Sequence, residues 1–153
     1  MSRTPSEIVQ ALLEDPTNSD LVTSLVAPDV TYVSLNHENL ELKKIMPWAG
    51  TGKGPQAIVD TYTRVGQCWA DEGTTIDDII EMNGNVAVFG VFTYRSNVTG
   101  KAVTSPYCMF AKVRHEKIVY LQFMEDTFGT ASTFRLSEAG TFHSNPKGPE
   151  VRL

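Results

Sequence analysis

A carboxylate that exchanges protons near neutral pH needs a desolvating neighbourhood, because burial disfavours its charged form and raises its pKa. Glu125 meets that condition in the sequence. It closes the run Lys117 to Glu125, where Leu121 and Phe123 share its parity and Gln122 does not. Strand alternation therefore turns Glu125 to the same side as two apolar residues. Tyr107 is the second candidate. In Ala102 to Arg114 one parity carries Val103, Ser105, Tyr107, Met109, Ala111 and Val113, while the other ends in Lys112 and Arg114, whose charged ends belong in water. Tyr107 thus faces inward on the neighbouring strand. An acid and a phenol converging in an apolar hollow suffice for cofactor-free enolisation, cyclisation or dehydration. Each residue also has a plainer reading. Glu125 at a rim would pair with an arginine or cap a helix, and Tyr107 in a core would bond to backbone.

Weaker candidates surround these two. Phe123 lies beside Glu125, and Tyr32, Phe92, Tyr94 and Met109 fall on parities that would wall the same hollow. Asn36 and His37 end the first strand and would face its mouth. His37 would offer a proton shuttle there, although a loop histidine beside Glu38 is more often simply solvated. Met46 and Trp48 would cover the hollow as a lid. Asp126 reads most simply as the cap of a last helix. Metal chemistry is not indicated, because the three histidines are far apart in sequence and His37-Glu38 lacks a second histidine four residues after the first. Gly50-Thr51-Gly52-Lys53-Gly54 does not have phosphate-loop spacing.

Composition sets the frame. The chain has 153 residues, enough for one domain, with 41% hydrophobic residues and 13 basic against 18 acidic side chains. The net charge of −5 and the lack of a basic stripe argue against nucleic acid as a partner. No apolar run is long enough to span a bilayer and the N-terminal segment has no signal-peptide pattern, so no membrane association is expected. The two cysteines, Cys68 and Cys108, are too few for a disulfide framework, which points to a cytoplasmic location.

The elements that must position these residues follow from capping and periodicity. Thr4, Pro5 and Glu7 open a first helix that Asp15-Pro16 stops. A second runs from Ser19 to before Pro28. Val30 to Asn36 reads as a strand. His37 to Gly54 shows no pattern, yet Met46-Pro47-Trp48 is too apolar for a solvated linker. Pro55 opens a third helix carrying Ile58, Val59, Tyr62, Val65 and Trp69 at helical intervals. Four strands follow as hairpins: Thr74 to Met82, Val86 to Arg95, Ala102 to Arg114 and Lys117 to Glu125, with turns at Asn83-Gly84, Thr99-Gly100 and His115-Glu116. A short helix reaches about Arg135, so the domain covers 1–139 and a loose tail 140–153. The order predicts an α+β domain, a curved antiparallel sheet with helices on one face. Val86 to Arg95 is apolar on both parities. With Cys108 and Phe110 it suggests a homodimer through the outer sheet face.

Several of these segments together resemble the SnoaL-like polyketide cyclase branch of the nuclear transport factor two-like (ketosteroid isomerase-like) superfamily. They are Pro47-Trp48-Ala49-Gly50-Thr51-Gly52-Lys53-Gly54-Pro55 before a helix, Gly100-Lys101 leading into a strand, and Glu116-Lys117-Ile118 ending in Met124-Glu125-Asp126-Thr127-Phe128. The resemblance covers about residues 5–136. It implies a cone-shaped sheet wrapped around three helices of the N-terminal half, a deep apolar pocket at the open end, and frequent dimerisation.

It implies less about activity, since such folds serve many chemistries. The ketosteroid isomerase base would fall on Ser34, which cannot act as a base at neutral pH and is left as pocket lining. The partner acid of those enzymes would fall near Met109. The epoxide hydrolase pair would fall near Gly90 and Phe92. In SnoaL-like cyclases an acid late in the last strand is the base, and Glu125 or Asp126 stands close to that place. The expectation is therefore a cofactor-free isomerase, cyclase or dehydratase, with Glu125 as acid or base and Tyr107 as donor, acting on a hydrophobic carbonyl-containing small molecule. The alternative is a binding or carrier protein of the same fold with no turnover.

Overall fold

The computed structural model describes residues 2–137 and 139–153. Helix α1 (Pro5–Glu14) begins with the capping box that its sequence encodes: Thr4 Oγ1 accepts from the Glu7 N–H, and the Glu7 carboxylate accepts from the Thr4 N–H. It buries Ile8, Val9 and Leu12. Asn18 caps α2 (Ser19–Leu25) in the same manner. Strand β1 (Val26–Ser34) starts earlier than its β-branched run suggests, because Val26 already pairs with Ile118.

The segment without a sequence pattern contains two elements. Asn39 caps α3 (Leu40–Ile45), and β2 (Gly50–Lys53) pairs antiparallel with β1. Neither leaves a periodic signature, since α3 buries no residue and β2 is Gly-Thr-Gly-Lys. Between them the chain turns inward, and Met46 is fully buried.

Helix α4 (Pro55–Cys68) passes directly into β3 (Trp69–Met82), so β3 begins at Trp69 instead of Thr74. Trp69 already pairs with Ser96, and the added length is accommodated by register shifts between Asp71 and Gly73 and between Ile76 and Asp78. Strands β4 (Asn85–Ser96), β5 (Ala102–Arg114) and β6 (Lys117–Glu125) complete the meander. Both predicted tight turns have positive φ at their central residues, Asn83 and Gly84 in one and His115 and Glu116 in the other, as such hairpins require.

Helix α5 (Thr127–Ser132) is shorter than expected, and the tail contains a small antiparallel pair, β7 (Thr141–Phe142) and β8 (Val151–Arg152). The main sheet runs in the order β2-β1-β6-β5-β4-β3. The architecture is the expected α+β one, with the sheet mixed because β1 lies parallel to β6. Hairpin signals report only neighbours in sequence, and β1 and β6 are distant along the chain.

The helices pack on one face of this sheet. The main core joins α1, α2 and α4 to the inward residues of β4, β5 and β6. A smaller cluster of Leu35, Met46, Ala49 and Trp69 closes the end where β1, α3 and the start of β3 meet. Among the described residues no helix is long and apolar enough to cross a membrane.

Candidate active site

The inward parity of β6 brings Glu125 beneath the helices, at the end of the sheet near that smaller cluster. Glu125 opens onto a narrow chamber of about 20 Å³ shared with Tyr32, Ser34, Trp48 and Thr61. Such a volume admits one water-sized group. A second cavity of about 450 Å³ adjoins it, and Tyr62, Val65, Trp69, Tyr94 and Phe123 form walls common to both. The larger space continues past Asp71 and Thr74 on β3, Phe92 on β4 and Tyr107 on β5, to Leu13 near the end of α1 and Pro16 and Thr17 after it.

Aromatic rings make one side nearly continuous. Phe92 stacks on Tyr94 with centroids 4.1 Å apart, and Tyr107 lies 5.6 Å from Phe123. Trp69 meets Trp48 edge-on at 5.5 Å. Its indole Nε1–H donates to Thr133 Oγ1 at 2.8 Å, which ties this wall to the end of α5.

Burial governs the titration of the site. The Glu125 carboxyl is pushed up to about 7, first by desolvation and further by the neighbouring Asp126 charge, with the Thr130 hydroxyl opposing the rise. At neutral pH both protonation states of Glu125 are therefore populated. Burial also pushes the Tyr32 hydroxyl up to about 12 and raises Tyr62, Tyr94 and Tyr107. These phenols stay protonated at neutral pH and act as neutral donors.

The structure separates the residues singled out in the sequence. Tyr32, Ser34, Trp48, Tyr94 and Phe123 surround the Glu125 chamber, and Phe92, Tyr94, Tyr107 and Phe123 line the larger cavity. Tyr107 Oη donates to the Thr75 carbonyl at 2.8 Å, the backbone partner of its plainer reading. The ring needs Gly90 opposite it: a Cβ there would lie 2.6 Å from Tyr107 Oη and 2.0 Å from the Thr75 carbonyl oxygen. Met109 is wholly buried in the main core, away from both cavities. Asp126 Oδ1 accepts from the Gly129 N–H at 3.0 Å and so caps α5. His37 is exposed and lines neither space, while the Asn36 Oδ1 atom is buried without a partner among the described residues.

Thr61, Tyr62 and Thr130 are among the contributors that were not apparent as site residues in the sequence. Tyr62 is the single hydroxyl in the apolar stripe of α4, and that oddity was its only signal. Thr130 reaches Glu125 through the turn into α5, which no local pattern encodes. Among the described residues no group of three or more His, Cys, Asp or Glu side chains comes together.

A curved sheet folded over helices, with an aromatic-walled cavity and a desolvated acid in the narrow chamber beside it, has the nuclear transport factor two-like architecture. The chain belongs to the SnoaL-like domain family, which matches residues 9–121. It is 43% identical over 152 residues to patulin synthesis protein F of Aspergillus clavatus, covering 95% of this chain and 77% of that one. Its fold is similar to that of an NTF2-like protein from Burkholderia thailandensis, with a TM-score of 0.73, 21% identity and coverage of 87% and 98% of the two chains. It is also similar in fold to TerC co-crystallised with polyporic acid, with a TM-score of 0.67, 20% identity and coverage of 84% and 96%.

Proposed function

We propose that the protein is a cofactor-free isomerase, cyclase or dehydratase that moves a proton on a hydrophobic carbonyl-containing small molecule, with Glu125 as the acid–base group. The observation that carries this reading is the Glu125 carboxyl held near 7 in a narrow chamber that shares its aromatic wall with the larger cavity. A group at that value removes and returns a proton with little penalty at neutral pH. The substrate occupies the larger cavity and exchanges its proton with Glu125 through a single water in the narrow chamber. Through that water Glu125 takes a proton from the carbon beside the carbonyl and the carbonyl oxygen gains negative charge; return of the proton to another atom completes an isomerisation or ring closure, and its return to a departing hydroxyl, which leaves as water, completes a dehydration.

The relative named for patulin synthesis supports a role in making a small metabolite of that kind. The polyporic acid bound by TerC supports a ring compound as the occupant. Tyr107 shapes the wall, because donating to substrate would require it to leave Thr75. The outer sheet face serves as a homodimer interface, and the reaction takes place in the cytoplasm.

The test is incubation of the purified protein, with no cofactor added, with a small-molecule extract of its source, followed by mass spectrometry. A compound consumed by the wild type and spared by Glu125→Gln supports the reading, with product mass unchanged for isomerisation or cyclisation and lowered by one water for dehydration. Binding without turnover in both proteins supports the carrier reading instead.

A further inference from the structure

The Tyr62 hydroxyl is buried and has no hydrogen-bond partner among the described residues. A buried polar group left unpaired is destabilising, and native structures rarely keep one without a use. Its surroundings do not relieve it. The phenols of Tyr32, Tyr94 and Tyr107 lie near it; Tyr32 comes close enough to act on its titration as a hydrogen-bonding neighbour, but outside the geometry of a formed bond. Tyr62 also belongs to the wall that both cavities share; its hydroxyl is covered within that wall, so a ligand reaches it by displacing the atoms that cover it.

The charges lining these spaces are one-sided. Asp71 borders the larger cavity and Glu125 the chamber, while no Lys, Arg or His borders either among the described residues. A carboxylate or phosphate entering there would lose its hydration with no cation to replace it. A carbonyl oxygen would instead meet an idle phenol. Tyr107 cannot fill that role without breaking its bond to Thr75.

We propose that Tyr62 donates its hydroxyl proton in a hydrogen bond to the carbonyl oxygen of an uncharged cyclic ketone or enone held in the larger cavity. This rests on the proton-transfer reading above and adds the substrate's charge class and its oxygen donor. As negative charge grows on the carbonyl oxygen, the same bond strengthens, which makes Tyr62 a catalytic residue. Because Tyr62 is raised well above its ordinary value by burial, the proton remains on the phenol in the resting site.

The experiment uses three ring-sized probes that differ in charge: tetralone, naphthoate and phenyltrimethylammonium. Binding is followed by the fluorescence of Trp48 and Trp69, and the carbonyl stretch of bound tetralone is read by infrared difference spectroscopy. The wild type is expected to bind tetralone in preference to both ions and to lower its carbonyl frequency. Tyr62→Phe is expected to bind tetralone about 5- to 10-fold more weakly, with the frequency shift lost, the ratio typical of one neutral hydrogen bond.

Without ligand, Tyr62→Phe should melt at or above the wild-type temperature, because it deletes an unpaired buried hydroxyl. A merely structural tyrosine would lose stability instead. The proposal is overturned if Tyr62→Phe keeps the wild-type affinity and frequency, if either ion binds more tightly than tetralone, or if tetralone fails to bind. Glu125→Gln separates the two readings: retained turnover removes Glu125 as the base and leaves the Tyr62 result standing, while a lost shift in Tyr62→Phe with turnover dependent on Glu125 supports both.

Discussion

Tyr107 and Glu125 are direct register partners across β5 and β6, yet they open onto different spaces. Residues opposite each other in a sheet share a face, so parity alone brings them together. What divides them is the direction each side chain takes above that face. Tyr107 leans across β4 over Gly90 to reach the Thr75 carbonyl on β3, just before the register shift between Ile76 and Asp78. Glu125 stays beneath β1 and the α4 residues that enclose its chamber.

Tyr107→Phe should therefore behave as the loss of one structural hydrogen bond. The Thr75 carbonyl loses its phenol donor, and stability is expected to fall by about 1 kcal/mol in a urea titration. Turnover should stay within a few-fold of wild type. A loss of several orders of magnitude in kcat would restore Tyr107 to the reacting centre.

Glu125 links stability to pH with a definite sign. Its ordinary value of 4.5 applies to the unfolded chain, and the folded value is about 7. Below 4.5 both states hold the proton and the full contribution is present; as pH rises the unfolded chain ionises first, and the contribution is lost by the time pH passes through 7. The difference is worth about 3 kcal/mol at most. Thermal melts of wild type and Glu125→Gln should nearly coincide at pH 4 and diverge above pH 7, with the variant more stable (pH values of about 4 and 7 bracket the transition). Equal melting temperatures across that range would mean a solvated carboxylate and remove it as the acid–base group.

Much of this architecture was legible in residues that report on near neighbours. Thr4-Pro5-Ser6-Glu7 specifies a capped helix, and Asn83-Gly84 specifies a hairpin turn, because each signal lies within a few residues. The inward parity of Val103, Ser105, Tyr107 and Met109 was equally readable from the charged ends of the opposite set. The parallel contact of β1 with β6 was not, since it depends on closure of a long stretch of chain. The small elements between His37 and Gly54 also escaped, because α3 buries nothing and β2 has too little side chain to alternate.

The site divides along the same line. Parity brings Glu125 inward from sequence alone, but the partition between its chamber and the larger cavity arises from α4, β3 and β4 meeting in space. Met109 has the correct parity and the wrong depth: its position along β5 puts it in the main core. Tyr62 was hidden by its spacing, which is that of an ordinary packing residue.

The indole of Trp69 is a second point where packing and site meet. Its N–H donates to Thr133 Oγ1, and the Thr133 hydroxyl donates in turn to the Thr130 carbonyl. Thr133→Val keeps the shape and removes the acceptor, so the indole donor is left unpaired in a buried setting. A loss of about 2 kcal/mol is expected in denaturant titration, together with weaker tetralone binding because Trp69 walls both cavities. Unchanged stability would mean that the indole finds another acceptor.

The outer sheet face tests the proposed homodimer. Phe89 remains 43% exposed, Ile80 59% and Met124 38%, while Cys108 and Phe110 on the same face are half-buried. These side chains lie on neighbouring strands β3 to β6, so their exposed surfaces adjoin. A second copy laid on this face would remove them from water, and the patch is isologous by construction. Phe89 pairs with Cys108 across β4 and β5, and replacement by lysine would put an unpaired charge within the contact. Phe89→Lys should therefore sediment as a monomer under conditions where the wild type sediments as a dimer, with the helix-facing cavity and tetralone binding intact. A wild type that sediments as a monomer at every concentration tested would refute the interface.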